Sequence, residues 1–138
     1  MTQFFLDISN ISLKFAKVNA LDTASFCANK GDVICLIGQS GCGKPSLLRA
    51  IAGIERPDSG YININGREIS VPNCFIEPEM RDIGFMFQDY ALFPHLNVMD
   101  NILFGLKRAD KNIARQHCKQ IIERLGRPSL WRSGARHL

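Results

Sequence analysis

The sequence lacks several features that define whole classes of protein. Its 138 residues contain no apolar run near the roughly 20 residues that a membrane-spanning helix needs. The N-terminus has no basic segment followed by a long apolar one, so no secretion signal is visible and we expect a cytoplasmic protein. The three histidines and five cysteines show no metal-ligand spacing. The odd number of cysteines argues against a disulfide framework and predicts reduced side chains, mostly in the core.

The chain also lacks an electrostatic surface typical of nucleic-acid binding. Its net charge is +4, but three of its 17 basic side chains and no acidic ones lie in residues 127–138. The rest of the chain therefore carries 14 basic and 13 acidic side chains. A nearly neutral body gives no reason to expect DNA or RNA as a partner.

The sequence does contain a glycine-rich loop, Gly38 to Lys44, between the apolar run Val33–Ile37 and a helical pattern over residues 47–52. Glycines let the backbone curl without Cβ clashes, so successive N–H groups can point at phosphate oxygens where a helix begins. The pattern predicts a site for a nucleoside triphosphate, in which Lys44 neutralises the outer phosphates. The other residues expected to contact the nucleotide are Gly38, Gln39, Ser40, Gly41, Cys42, Gly43, Pro45 and Ser46.

Pro45 departs from this pattern, which has Ser or Thr after the lysine. Proline has neither an N–H nor a hydroxyl, so the loop loses a phosphate donor and an oxygen positioned for Mg²⁺. Ser46 is no simple substitute, because one more helical residue turns the side chain by about 100°. Proline also disfavours the helical region for Lys44, so we expect a slightly distorted loop. The sequence thus supports nucleotide binding more strongly than catalysis.

Hydrophobic periodicity and turn signals predict an alternation of strands and helices. A bulge is expected near Asn10 and a tight hairpin at Asn65-Gly66. The predicted strands are Phe4–Phe15, Ala24–Cys27, Val33–Ile37, Tyr61–Ile64 and Ile83–Phe87. Three helices are predicted. The first follows Lys44, with Leu47, Leu48 and Ile51 on one face. The second covers Asn97–Phe104 and is capped by Asn97, and the third is capped by Asp110 and carries an apolar stripe of Ala114, Cys118, Ile121, Ile122 and Leu125.

Two further segments carry a family resemblance: Leu47–Gly60, and Phe85–Val98 around Gln88. With the glycine-rich loop, they make the chain resemble the ATP-binding subunit of ATP-binding-cassette (ABC) importers over about residues 4–126. The long segment before Glu79–Asp82, together with Gln88-Asp89-Tyr90 and Asn101–Leu106, looks most like the ferric-iron branch, with polyamine, sugar and anion importers close behind.

The resemblance implies an α/β fold, with a P-loop NTPase-like central sheet and a small antiparallel β lobe, and ATP and Mg²⁺ as cofactors. It implies catalytic roles for Lys44 and Gln88, with Gln88 touching Mg²⁺, and stacking of Phe15 on adenine. Packing of Phe15 in the core or at a strand edge is the alternative. The apolar loop Tyr90–His95 would dock on a membrane-spanning permease subunit, or in part fill the core. Family members form homodimers and lie on the inner face of the cell membrane.

The family's signature loop, its second strand ending in Asp-Glu and its switch histidine have no counterpart in the sequence. We therefore expect a partial ABC domain over residues 1–126 and an unmatched, disordered tail over 127–138. Whether the chain is an enzyme stays open on this basis. The alternatives to an importer ATPase are a non-catalytic fragment, from truncation or a frameshift, that binds nucleotide or docks on the membrane subunit, and a small nucleotide kinase, which shares the loop but not the Gln88 segment.

Overall fold

The computed structural model describes residues 4–106 and 110–126. The chain divides into two compact units, residues 1–85 and residues 86–138. The tail predicted over 127–138 lies outside the described residues. Within the described residues, no helix is both long and apolar enough to cross a membrane.

The first unit is built on a five-stranded antiparallel sheet in the order β2-β1-β3-β4-β5. Its strands are β1 (Leu6–Phe15), β2 (Val18–Ala28), β3 (Ser59–Ile64), β4 (Arg67–Val71) and β5 (Cys74–Phe75). Ile8, Ile11 and Ile62 are almost fully buried and form the core with residues of the following helix. The alternation of buried and exposed positions along β1 is what a sheet with one covered face requires.

Two turn predictions for this sheet are confirmed. Asn10 has a φ of +52°, and the β1–β2 register shifts between Ile8 and Ile11, as expected for a bulge. Asn65 and Gly66 both have positive φ, +50° and +77°, and connect β3 to β4. A two-residue hairpin with positive φ at both central positions is the turn that matches the twist of paired strands.

The helix after the glycine-rich loop, α1, spans Lys44–Ala52 and ends at Gly53, whose φ is +83°. Leu47 and Ala50 are buried against the sheet, whereas Leu48 is 47% exposed. The predicted face was therefore wrong for Leu48, because a rotation of about 100° per residue places it beside, not on, the buried face.

The segments Val33–Ile37 and Ile83–Phe87, predicted as strands, are not strands in the described part of the chain. Val33 is 95% exposed and Ile37 is 91% exposed. A strand needs a neighbour to hydrogen-bond with, and none of the described strands pairs with either segment. Residues 70–82 contain the end of β4, β5 and a short 3₁₀ turn at Pro78–Met80.

The second unit contains α2 (Val98–Leu103) and α3 (Lys111–Arg124). Both predicted N-caps are confirmed: the side chain of Asn97 accepts a hydrogen bond from the Asp100 N–H, and that of Asp110 accepts from the N–H groups of Asn112 and Ile113. Such caps satisfy N–H groups that have no acceptor within the helix.

The apolar stripe of α3 is only partly buried. Ala114, Cys118 and Ile122 are buried, whereas Ile121 and Leu125 are 53% and 71% exposed. Burial raises the pKa of the Cys118 thiol. The expectation of mostly buried cysteines was wrong: all five are free, but Cys27, Cys35, Cys42 and Cys74 are exposed.

Candidate functional site

The glycine-rich loop leads directly into the first turn of α1. Gly43 is the N-cap, with φ +85° and ψ +3°, and its carbonyl accepts the first helical hydrogen bond from the Leu47 N–H at 2.9 Å. Gly41 also has a positive φ, +82°, whereas Cys42 between them does not. Alternation of this kind turns successive N–H groups into one concave surface that binds anions.

Gly43 also fixes the loop against the sheet. A Cβ on Gly43 would lie 1.9 Å from the carbonyl oxygen of Ala20 in β2. Only a residue without a side chain allows this approach, so the start of α1 and β2 are in direct backbone contact. The end of the loop is therefore packed directly against β2.

The ammonium of Lys44 lies across the loop that precedes it. Its Nζ donates to the carbonyl oxygens of Gly38 and Gln39, both at 2.7 Å, and lies 3.2 Å from the Cys42 Sγ. Phosphate oxygens are better acceptors for an ammonium than neutral carbonyls, because the hydrogen bond is then between opposite charges. Lys44 is thus placed where an anion bound in the loop would meet a positive charge.

Pro45 occupies the first turn of α1 without displacing the helix. The helix begins at Lys44, the residue that Pro45 was expected to push out of the helical region. Lys44 is therefore not displaced from the helix, contrary to that expectation. The first-turn N–H groups of a helix have no intrahelical acceptor, so proline breaks no helical hydrogen bond there, although it removes one donor that a phosphate could use.

A cavity of about 380 Å³ opens beside the loop. It is lined by the loop end Cys42–Lys44 together with apolar side chains that include Leu21, Leu36 and Leu47. A largely apolar wall with a few polar groups at one side is typical of ligand pockets.

Phe15 lies at the end of β1, where it pairs with Val18, and its side chain is 43% exposed. β2, the partner strand of this hairpin, contacts Gly43 through Ala20. The β1–β2 hairpin therefore connects Phe15 to the glycine-rich loop.

Gln88 and the predicted docking loop Tyr90–His95 lie in the second unit. Gln88 is exposed, and Tyr90 and Leu92 are 69% and 46% exposed. Phe93 is instead half-buried, with its ring 4.2 Å from that of Phe104. The loop thus presents part of its apolar side chains to solvent and packs another part internally.

Two side chains for which the sequence predicted no role make several hydrogen bonds to the main chain: Asn101 and Arg81. The Asn101 side chain accepts the Phe93 N–H at 2.8 Å and donates to the Phe93 carbonyl at 3.1 Å, which fixes the docking loop. Arg81 is 4% exposed and donates to main-chain carbonyls at the end of α1. Burial lowers the pKa of Arg81, and the nearby Glu77 opposes this shift. Asn101 lies four residues after the predicted cap Asn97, whereas nothing in the sequence marks Arg81 as buried.

Metal-binding side chains do not cluster in the described parts of the chain: no group of three or more His, Cys, Asp or Glu side chains comes together there. Pro45 has no side-chain oxygen to add. The donors at this site, the loop N–H groups and the Lys44 ammonium, suit a phosphate group.

Comparison with known proteins agrees with this geometry. Residues 21–137 match the family described as ABC transporter. The chain is 44% identical over 108 residues to a sulfate/thiosulfate import ATP-binding protein of Pectobacterium atrosepticum, covering 78% of this chain and 32% of that protein. It is 45% identical over 109 residues to a spermidine/putrescine import ATP-binding protein of Pseudomonas aeruginosa, covering 79% and 29%.

The fold also matches solved structures. A dimeric ATP-binding cassette in a post-hydrolysis state, bound to ADP and Pi, superposes with a TM-score of 0.79 at 20% identity, covering 96% of this chain and 62% of that one. The expected P-loop NTPase-type α/β fold is thereby confirmed. The chain spans about a third of the length of the curated relatives named above.

Proposed function

Because the chain belongs to the ABC transporter family, we propose that it binds ATP through the loop Gly38–Lys44, as the ATP-binding part of an importer ATPase. The observation that carries this proposal is the position of the Lys44 ammonium, 2.7 Å from two loop carbonyls, above a loop with positive φ at Gly41 and Gly43. Loop N–H groups, the α1 N-terminus and Lys44 would all favour the triphosphate.

We propose that the ring of Phe15 stacks on the adenine base. Its ring is exposed and belongs to the hairpin whose second strand supports Gly43. A flat aromatic surface can stack on a purine with little demand on the rest of the nucleotide.

Mg²⁺ enters the proposal as the counter-ion of the bound triphosphate, with the Gln88 amide as its candidate ligand from the protein. Pro45 has no hydroxyl to help hold Mg²⁺, so we expect this chain to bind the nucleotide without hydrolysing it efficiently. Catalytic roles for Lys44 and Gln88 are therefore proposed for the ATPase as a whole, and nucleotide binding without hydrolysis is the second candidate function.

The partner proposed for the second unit is a membrane-spanning permease on the inner face of the cell membrane. Tyr90 and Leu92 expose apolar surface in a loop that Asn101 holds through two hydrogen bonds to Phe93. An ordered loop with exposed apolar side chains is a suitable docking surface. The solved cassette described above is dimeric, and we propose a dimer of ATP-binding subunits for the importer.

The transported solute is proposed to be a small ion. The relatives reported above are named for import of sulfate or thiosulfate and of spermidine or putrescine. Ferric iron, suggested by the motifs, stays a prediction that these relatives do not support.

Replacing Lys44 by alanine tests the proposed function. We expect the dissociation constant for ATP to rise by at least about tenfold, because a charge-assisted hydrogen bond is worth about 1.5–3 kcal/mol. Calorimetric titration of both proteins with ATP measures this. Lys30→Ala, which removes the same charge from an exposed turn, is the matched control. A wild-type protein that does not bind ATP, or equal losses in both variants, would refute the proposal.

Replacing Pro45 by threonine should strengthen Mg·ATP binding by at least about fivefold, since the change adds an N–H and a hydroxyl, each worth about 0.5–1.5 kcal/mol and together about 1–3 kcal/mol. Metal-free ATP should gain less, because it uses the N–H alone. Titrations with and without Mg²⁺ separate the two contributions. Pro72→Thr, at an exposed turn, is the control and should leave both affinities unchanged. An unchanged Mg·ATP affinity in Pro45→Thr would show that Pro45 does not weaken Mg·ATP binding.

A further inference from the structure

Arg81 is a buried cation whose hydrogen bonds all go to main-chain carbonyls. Nη1 donates to the carbonyl oxygens of Ala50 and Ile51, each at 2.8 Å, and Nε donates to that of Ile76 at 2.6 Å. The guanidinium carbon lies 4.6 Å from the centre of the Phe75 ring. Nη2 is buried and has no hydrogen-bond partner among the described residues. Burying a charge in this way is costly, so a specific benefit is to be expected.

The carbonyls that Arg81 joins belong to two separate segments. Ala50 and Ile51 are in the last turn of α1, where a positive charge is favourable. The Ala50 carbonyl also accepts the N–H of the C-cap residue Gly53, at 3.2 Å. Ile76 follows β5 and is itself bonded to the sheet, because its N–H donates to the Ile69 carbonyl at 3.0 Å. One side chain therefore ties the end of the helix to the sheet.

Close contacts with the surrounding residues are present at both ends of α1. A Cβ on Gly53, the residue that ends α1, would lie 2.4 Å from Arg81 Nε. At the other end of the helix, a Cβ on Gly43 would lie 1.9 Å from the backbone carbonyl oxygen of Ala20. A nine-residue helix is about 13 Å long. α1 is thus fixed at both of its ends over a short distance.

We propose that Arg81 is a positioning residue for the phosphate loop: by tying the C-terminal end of α1 to the sheet, it fixes the N-terminal turn in which Gly43 and Lys44 stand. The consequence for ATP affinity rests on the proposed function, whereas the consequence for the mobility of α1 does not. Arg81 itself touches no nucleotide in this proposal and acts through the helix.

The test compares Arg81→Met with Arg56→Met. The Arg56 guanidinium also lies over the Phe75 ring, at 5.5 Å, but the residue is exposed, so the control removes the same charge from the same ring. In Arg81→Met we expect the dissociation constant for ATP, measured well below the unfolding temperature, to rise about five- to tenfold, a typical coupling between distant sites. Arg56→Met should bind as the wild type does.

Hydrogen exchange gives a readout that does not depend on the nucleotide. The Leu47 N–H, bonded to Gly43 at 2.9 Å, should exchange several-fold faster in Arg81→Met and not in Arg56→Met. Arg81→Lys, which keeps the charge but cannot span both segments, should be intermediate, and it replaces Arg81→Met if that variant does not fold.

A lowered unfolding temperature with unchanged exchange at Leu47 would make Arg81 a purely structural residue and overturn the inference. If the wild-type protein binds no ATP, the proposed function fails, and exchange at Leu47 alone decides the inference. If ATP binds equally well to wild type and Arg81→Met while exchange at Leu47 is unchanged, the inference alone fails.

Discussion

Replacing Gly43 by alanine is expected to abolish detectable ATP binding and to destabilise the first unit. The φ of +85° costs an L-residue about 1–2 kcal/mol. The added Cβ would also lie 1.9 Å from the Ala20 carbonyl oxygen, which neither backbone can tolerate, and overpacking of this kind costs about another 1–3 kcal/mol. Because the loop and β2 must separate, Lys44 and the loop N–H groups that are proposed to bind phosphate lose their arrangement.

Gly31→Ala separates the two causes of this effect. Gly31 has a similar φ of +91°, and nothing lies within 4 Å of a Cβ built there. This control should lose about 1–2 kcal/mol of stability from backbone strain and keep its ATP affinity. Thermal unfolding and ATP titration of the three proteins provide the measurements. ATP affinity in Gly43→Ala equal to that in Gly31→Ala would show that the contact with Ala20 does not shape the site.

Local chemistry is what made much of the fold predictable. The hairpin at Asn65-Gly66, the bulge at Asn10 and the caps at Asn97 and Asp110 each depend on a few adjacent residues, and all four were expected. The glycine-rich loop belongs to this class, because its pattern specifies its own backbone conformation.

Predictions that depend on distant partners failed or were missed. Val33–Ile37 has the composition of a buried strand, but no strand in the described residues pairs with it. Arg81 is buried because carbonyls some 30 residues earlier in the chain accept its hydrogens, and no local pattern encodes such a pairing. The roles of Phe15 and Gln88 in ATP binding stay predictions, since they concern contacts with a ligand.

The 138-residue chain is expected to self-associate through the segment Val33–Ile37. Val33 and Ile37 are 95% and 91% exposed, and no described strand pairs with their backbone. Exposed apolar segments with unpaired N–H and C=O groups are the usual templates for edge-to-edge association. Burying one such side chain in a contact contributes about 1.5–3 kcal/mol.

The double variant Val33→Ser/Ile37→Ser should therefore shift the protein towards the monomer at a given concentration, as measured by sedimentation velocity over a range of concentrations. Its free energy of unfolding should change by no more than about 0.5 kcal/mol, since both side chains are at the surface. Val18→Ser/Ile113→Ser makes the same chemical changes at exposed positions in β2 and α3, and should leave association as it is. A wild-type chain that stays monomeric at every concentration, or a control that dissociates as fully as the test variant, would show that Val33–Ile37 is not the contact surface.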